Sequence, residues 1–167
     1  MPAWRDELSV GPGDARRARP RDIDAMKTKA LLGVTAVVEL TAAAALLAVP
    51  SRVAALLLGT GLDSPAANVV ARIAGAALLS IGLTCWLVRN SPEGASRRGQ
   101  IAALLAYNAA VAVLLVFAAV VEHLHGIGLW PAVALHLGLS AWCGACFRHR
   151  RPDREPASNQ QLPHSLI

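Results

Sequence analysis

Four blocks of mostly apolar residues, each about 20 residues long, are separated by short polar segments in this chain. A helix of that length, rising about 1.5 Å per residue, crosses a hydrocarbon layer roughly 30 Å thick. Only 16% of the residues are charged and 54% are hydrophobic, whereas soluble domains carry about 25% charged residues. The sequence therefore predicts an all-α integral membrane four-helix bundle, with spans at about 30–49, 67–88, 100–121 and 129–147.

Positive charges are distributed unevenly among the segments between these blocks. Of the 16 Lys and Arg residues, 14 lie in the two tails or in segment 89–98, and only Arg52 and Arg72 lie on the opposite side. Because cytoplasmic loops are enriched in Lys and Arg, we expect both termini in the cytoplasm. A net charge of +5 would suggest nucleic-acid binding in a soluble protein. Here the positions of the charges favour a membrane topology instead, with the lipid bilayer as partner and no nucleic acid.

The ends of the chain differ in composition from its middle. Residues 1–25 and 149–167 are polar and lack apolar periodicity, so we expect both to be disordered tails around a helical domain at 26–148. Met26 directly precedes the first block, so translation starting there rather than at Met1 remains an alternative. The first block is longer than the apolar part of a signal peptide, about 7–15 residues, which favours a retained span.

Between the first two spans the sequence predicts a short additional helix. Pro50 is expected to end the first span, and the apolar stretch that follows in 51–59 is too short to cross the membrane. We expect it to lie in the outer membrane interface. Ser64 or Asp63 is placed to cap the second span, with Pro65 at its first helical position. Small residues recur in every span, which predicts close packing between helix backbones.

Glu39 is the most informative single residue, because an ionisable side chain in the middle of a span costs on the order of 3 kcal/mol unless it is partnered, protonated or hydrated. Counting residues from the ends of each span places Asn108 and His136 at a similar depth. Tyr107 adjoins Asn108, and Arg72 lies where its long side chain reaches toward the outer surface or toward the carboxylate. These five residues form the candidate intramembrane polar site.

Two interpretations of this polar site remain open. It is either a structural hydrogen-bond network that fixes which helices pack together, or a functional site. In the functional interpretation Glu39 and His136 form a proton-coupled or ligand-binding pair, and Asn108 orients them by hydrogen bonding. The sequence favours the structural network.

The three cysteines, Cys85, Cys143 and Cys146, lie in or at the edge of apolar blocks. Together with His149 they offer soft or borderline ligands at one depth, and Cys143 and Cys146 form a C-x-x-C pair suited to metal binding or to thiol–disulfide cycling. A single C-x-x-C without further context is weakly specific. We therefore favour cysteines that serve close packing.

Another candidate metal cluster, Glu122, His123 and His125, lies in the turn before the fourth span. Alternate spacing directs the two imidazoles apart, so we expect them to be solvated. Haem is not expected, because only His136 lies deep in a span. No nucleophile elbow, phosphate loop or paired-carboxylate motif is present, so we expect no enzymatic activity and no cofactor.

Several segments together resemble small four-span bacterial membrane proteins of domain-of-unknown-function type. They are the Glu of the first span, the stretch Ala-Arg-Ile-Ala-Gly-Ala-Ala-Leu-Leu at 71–79, Tyr107 with Asn108, and Leu-Trp-Pro followed by an intramembrane His at 129–136. The resemblance covers residues 27–147 and implies a multi-pass protein of the bacterial inner (plasma) membrane. It implies no function.

Three functional hypotheses follow from these features. The first is a non-enzymatic membrane protein that acts by binding, as a homo-oligomer or as a subunit beside another membrane protein. The second is a proton-linked or small-ligand carrier that uses Glu39 and His136. The third and weakest is a metal or redox protein that uses Cys143 and Cys146.

Overall fold

The computed structural model describes residues 14–91 and 94–148, and within these ranges the chain forms five helices and no strands. The helices are α1 (Asp14–Ala48), α2 (Pro50–Leu58), α3 (Pro65–Val88), α4 (Ala95–Val120) and α5 (Leu129–Arg148). Four of them, all except α2, are long and apolar enough to cross a membrane. The prediction of an all-α membrane bundle of four spans is therefore confirmed.

The polar N-terminal tail is shorter than predicted. The helix α1 begins at Asp14, so the expectation of disorder is wrong for residues 14–25, while 1–13 lie outside the described residues. Ala and Arg in this stretch are strong helix formers, and extending a helix that the apolar span already nucleates requires no new nucleus. The apolar part of α1 begins at Ile23. The predicted disordered tail at 149–167 also lies outside the described residues.

The third span also begins earlier than its apolar run. The helix α4 starts at Ala95, inside the segment predicted to be a loop up to Gly99, and follows the extended Gly94. Arg97 is consequently helical and only 6% exposed, and its Nη2 donates to the backbone oxygen of Arg89 over 2.7 Å. The hydrogen bond joins the start of α4 to the end of α3.

The short helix after the first span is confirmed. The helix α1 ends at Ala48, and α2 starts at Pro50, where a proline loses no intrahelical hydrogen bond. Gly59 ends α2 with a φ of 79°, in the left-handed region that glycine adopts readily. The N–H of Gly128, just before α5, donates to Leu56 O over 2.9 Å, so α2 packs against the turn between α4 and α5.

The start of α3 follows the predicted capping pattern. Ser64 has extended backbone angles, and its side chain accepts a hydrogen bond from the N–H of Ala67 over 3.0 Å. Pro65 occupies the first helical position, where its missing N–H costs nothing. Of the two predicted caps, Asp63 and Ser64, the structure selects Ser64.

The bundle consists of two antiparallel helical hairpins. One pairs α1 with α3, the other pairs α4 with α5, and α1 also touches α5. Glycines allow the closest approach within the first hairpin, because a Cβ at Gly82 would lie 2.8 Å from Leu40 Cγ and one at Gly75 would lie 3.0 Å from Leu46 Cβ. This is the close packing that the small residues of the second span predict.

Apolar clusters fill the two ends of the bundle interior. The larger cluster comprises Leu31, Leu32, Ala36, Cys85, Ile101, Leu104, Leu139, Cys143 and Cys146, and the smaller comprises Ala119, Leu129 and Val133. Many large apolar side chains instead face outward, among them Leu87 at 73% and Val113 at 68% exposure. Such a surface fits a hydrocarbon solvent rather than water. Between the two clusters lies a layer of buried polar side chains.

Candidate functional site

Glu39 lies in this polar layer, on the face of α1 directed toward the second hairpin. Its side chain is only 1% exposed. The hydroxyl of Tyr107, in α4, donates to Glu39 Oε2 over 3.2 Å. The other carboxylate oxygen, Oε1, is buried and has no hydrogen-bond partner among the described residues. Glu39 therefore retains one open acceptor in a site closed to solvent.

A second hydrogen bond in the same layer joins α4 to α5. Asn108 is fully buried, and its Nδ2 donates to Leu104 O over 2.8 Å. This bond directs Asn108 Oδ1 toward His136, whose Nδ1 lies 2.8 Å away. Since the amide oxygen only accepts, His136 Nδ1 carries the proton and donates. The hydrogen bond thus fixes both the ring orientation and the tautomer of His136.

An aromatic contact links these two hydrogen bonds. The rings of Tyr107 and His136 meet edge to face, with centroids 6.0 Å apart and planes inclined by 81°. Glu39, Tyr107, Asn108 and His136 therefore form one cluster across α1, α4 and α5, which we call the midplane cluster. The sequence places these four residues at one depth, and the structure brings them together.

Arg72, for which the sequence left open a direction toward the outer surface or toward the carboxylate, does not join the midplane cluster. It is exposed on α3, and no ion pair joins it to Glu39 within the described ranges. Gly82 packs against Leu40, next to Glu39 in sequence, so α3 passes the carboxylate near Gly82. Ten residues separate Arg72 from Gly82, or about 15 Å along the helix. The side chain is therefore far toward the other end of α3.

Thr35 is a member of the site that sequence reasoning missed. Its side chain is fully buried, and Oγ1 has no hydrogen-bond partner among the described residues. Thr35 precedes Glu39 by four positions, so both lie on one face of α1, one turn apart. Its position could have been predicted from the sequence, because it is a polar residue four positions from an intramembrane carboxylate. The two open oxygens, Thr35 Oγ1 and Glu39 Oε1, extend the midplane cluster by one turn.

The three cysteines lie in the larger apolar cluster and are all buried and free. Gln100 Nε2 donates to Cys85 Sγ over 3.6 Å, which ties the second hairpin to the first. His149, the proposed fourth ligand, lies outside the described residues. Within the described part of the chain, no three His, Cys, Asp or Glu side chains are arranged to hold a metal ion. Cys85, Cys143 and Cys146 are brought into one core but not into a ligand set.

The outer-turn candidates are also not assembled into a site. Glu122, His123 and His125 are exposed, and within residues 14–91 and 94–148 they do not form a group that could hold a metal ion. His123 adopts a φ of 53°, in the left-handed region of the backbone. These three side chains therefore lie in solvent-accessible positions without a shared centre.

Comparison of the chain with protein-family models, with curated proteins and with solved structures finds no match.

The chemistry of the midplane cluster itself is specific. No Lys or Arg lies within ion-pair distance of Glu39 in the described ranges. A buried carboxylate held by a single hydrogen bond needs a counter-charge, which a proton or a small bound cation supplies. The midplane cluster therefore has the chemistry to hold a proton or a small cation at Glu39.

Proposed function

We propose that the chain is a non-enzymatic protein of the bacterial inner membrane that acts by binding, as a homo-oligomer or as a subunit of a larger membrane assembly. The observation that carries this proposal is a pair of buried oxygens in and beside the midplane cluster that lack a hydrogen-bond partner. Glu39 Oε1 and Thr35 Oγ1 are both buried without a partner among the described residues. Groups of this kind inside a membrane mark a bound species, because an unsatisfied polar atom in hydrocarbon is costly.

The bound species is small and lacks negative charge. Glu39 and Thr35 are at most 1% exposed, so the space beside them admits a proton, a water molecule or a small cation rather than a metabolite. Side-chain oxygens are few here, and the carbonyls of a helix interior are engaged in its own hydrogen bonds. A proton on Glu39 satisfies the carboxyl group without requiring a full coordination sphere.

Infrared spectroscopy tests this binding role directly, because a protonated carboxylic acid has a carbonyl band that an ionised carboxylate and an amide lack. Spectra of the purified chain in detergent are recorded across pH 5–9 with and without Na⁺, and Glu39→Gln is the matched control. We expect an acid carbonyl band in the wild type that is missing from Glu39→Gln, and a decrease of this band on adding Na⁺ only if a cation occupies the site. An ionised Glu39 across this pH range with no response to Na⁺ would contradict the proposal.

A second candidate function is a proton-linked or small-ligand carrier that uses Glu39 and His136. The observation that favours it is the position of the midplane cluster in the seam between two hairpins, each of which packs mainly within itself. A movement of one hairpin against the other would change access to Glu39. In proteoliposomes with an imposed pH gradient, a carrier dissipates the gradient faster than Glu39→Gln. Equal rates for the two proteins would exclude proton carriage.

The orientation with both termini in the cytoplasm is part of this proposal. It is supported by the 14 Lys and Arg residues on one side against two on the other. Reporter domains fused in the segment 89–98 and in the turn 122–128 distinguish the two orientations. We expect cytoplasmic activity from the first fusion and periplasmic activity from the second, and the reverse pattern would overturn the orientation.

A further inference from the structure

A groove with basic walls lies between the first turns of the apolar part of α1 and the end of α3. It is shallow and open to the surroundings, has a volume of about 460 Å³, and is lined by Met26, Lys29, Ala30, Gly33 and Arg89. We call it the basic groove. It lies at the opposite end of the first hairpin from α2, and none of its residues belongs to the midplane cluster.

The two cations of the basic groove have no acidic partner among the residues that the structure describes. Among the described residues, no carboxylate lies within ion-pair distance of Lys29 or Arg89. Lys27, two positions before Lys29, differs in this respect, because its Nζ lies 3.8 Å from Asp24 Oδ1. The described part of the chain therefore leaves two positive charges in the groove for an anion to bind.

Arg89 is held in place by its neighbours. Its guanidinium carbon lies 3.1 Å from the centroid of the Trp86 ring, and its backbone oxygen accepts the hydrogen bond from Arg97. A guanidinium stacked on an aromatic ring keeps its N–H groups directed outward in the ring plane, where they bind an oxyanion. Trp86 is itself typical of the membrane interface, where such rings lie at headgroup level.

The floor of the basic groove is apolar and open. Apart from its chain neighbours and the backbone of its own helix, no atom lies within 4 Å of the position that a Cβ of Gly33 would occupy. Ala30 and Gly33 continue one turn into the predicted span beyond Lys29, so the floor leads from the interface into the hydrocarbon region. A free phosphate ion makes no favourable contact with an apolar surface of this kind, whereas an acyl chain packs against it.

We propose that the basic groove binds an anionic phospholipid, with its phosphate between Lys29 and Arg89 and an acyl chain lying across Ala30 and Gly33. Paired basic side chains between transmembrane helices recognise anionic headgroups by charge. The site is independent of Glu39, so it stands whether or not the midplane cluster binds a proton.

Native mass spectrometry of the full chain, released from nanodiscs of phosphatidylglycerol or phosphatidylcholine with identical acyl chains, tests the proposal. We expect retained phosphatidylglycerol on the wild type and little phosphatidylcholine. Because each basic side chain contributes about fivefold to affinity for an anionic lipid, the double variant Lys29→Gln/Arg89→Gln should bind phosphatidylglycerol about 25-fold more weakly. The matched control Lys27→Gln, which removes one charge outside the groove, should bind as the wild type does.

Gly33→Leu separates a lipid site from a site for free phosphate, because it fills the floor and keeps both charges. We expect it to lose phosphatidylglycerol with unchanged helicity and an unchanged elution volume. Displacement of the lipid by millimolar inorganic phosphate, together with full retention by Gly33→Leu, would overturn the lipid assignment. Equal retention of the two lipids by the wild type, or equal losses in Lys27→Gln and the double variant, would overturn the site itself.

Discussion

Tyr107 of α4 donates a hydrogen bond to Glu39 of α1 over 3.2 Å, and this contact joins the two hairpins of the bundle at its polar layer. Each hairpin packs mainly within itself, with α1 touching α5 across the seam. A polar contact at such a seam contributes little energy but selects one arrangement of the helices, because every alternative leaves a buried carboxyl group with no donor. The seam is also where the open oxygens of Glu39 and Thr35 lie.

Replacing Tyr107 by Phe should destabilise the bundle by about 1–2 kcal/mol, because it leaves the second oxygen of Glu39 without a donor as well. Unfolding in a detergent titration measures the effect. The hydrogen bond itself is measured by a double-mutant cycle with Glu39→Ala, which removes both carboxylate oxygens, and we expect a coupling energy of about 0.6–1.7 kcal/mol. Strictly additive effects of the two substitutions would show that the contact does not hold the hairpins together.

Substitution of Asn108 should lower the stability of the bundle, because its side chain is buried and hydrogen-bonded to another helix. Asn108→Ala removes the acceptor for His136 Nδ1 and should cost about 1–3 kcal/mol of unfolding free energy. Asn90→Ala is the matched control, since Asn90 is exposed in the turn after α3 and should change stability by less than about 0.5 kcal/mol. Equal losses for both variants would argue against the buried hydrogen bond.

The close approach of α1 and α3 makes Gly82 intolerant of larger side chains. A Cβ there would lie 2.8 Å from Leu40 Cγ and 3.2 Å from Leu40 N, so Gly82→Val should cost about 1–3 kcal/mol through overpacking. Gly138→Val provides the control in α5, where no atom lies within 4 Å of the added Cβ. Thermal unfolding in detergent should separate the two variants, and a Gly82→Val protein as stable as Gly138→Val would contradict the hairpin packing.

The buried thiols should resist modification while the bundle is folded. Cys85 and Cys143 are both 0% exposed, so a polar maleimide should label neither until denaturant unfolds the chain. Ser91→Cys places a thiol at an exposed position after α3 and should be labelled at once. Mass spectrometry of timed reactions gives the rates. Labelling of Cys143 as fast as that of the introduced cysteine would show that the core opens readily.

The packing of the turn before α5 against α2 should require a glycine at position 126. A Cβ at this position would overlap the backbone of Leu56 and Leu57 in α2, so Gly126→Ala should loosen the docking of α2. Hydrogen exchange then increases at Gly128, whose N–H donates to Leu56 O. Ile127→Ala, at a side chain that is 84% exposed, should leave this exchange unchanged. Unaltered exchange in Gly126→Ala would refute the close contact.

The sequence predicts well how deep a side chain lies in the membrane. It predicts poorly which side of its helix that side chain occupies relative to the neighbouring helices. Glu39, Asn108 and His136 were placed in one layer by counting residues, since each residue of a helix rises by a fixed amount. For Arg72 the same counting left two directions open, toward the outer surface or toward the carboxylate. The structure has this side chain exposed, and α3 meets α1 near Gly82, about 15 Å further along the helix.

The amino-acid sequence by itself determined the number of spans, the short helix that follows the first span, a cap at Asp63 or Ser64 and the common depth of the polar residues. These features depend on segment length, local backbone chemistry and a constant helical rise, all of which act within one segment of chain. Only the tertiary structure decided which helices pair, that Thr35 joins Glu39 with an open oxygen, and that Lys29 meets Arg89 in one groove. Those outcomes depend on how far each helix is rotated about its axis against its neighbours, which is set by close packing at residues such as Gly75 and Gly82.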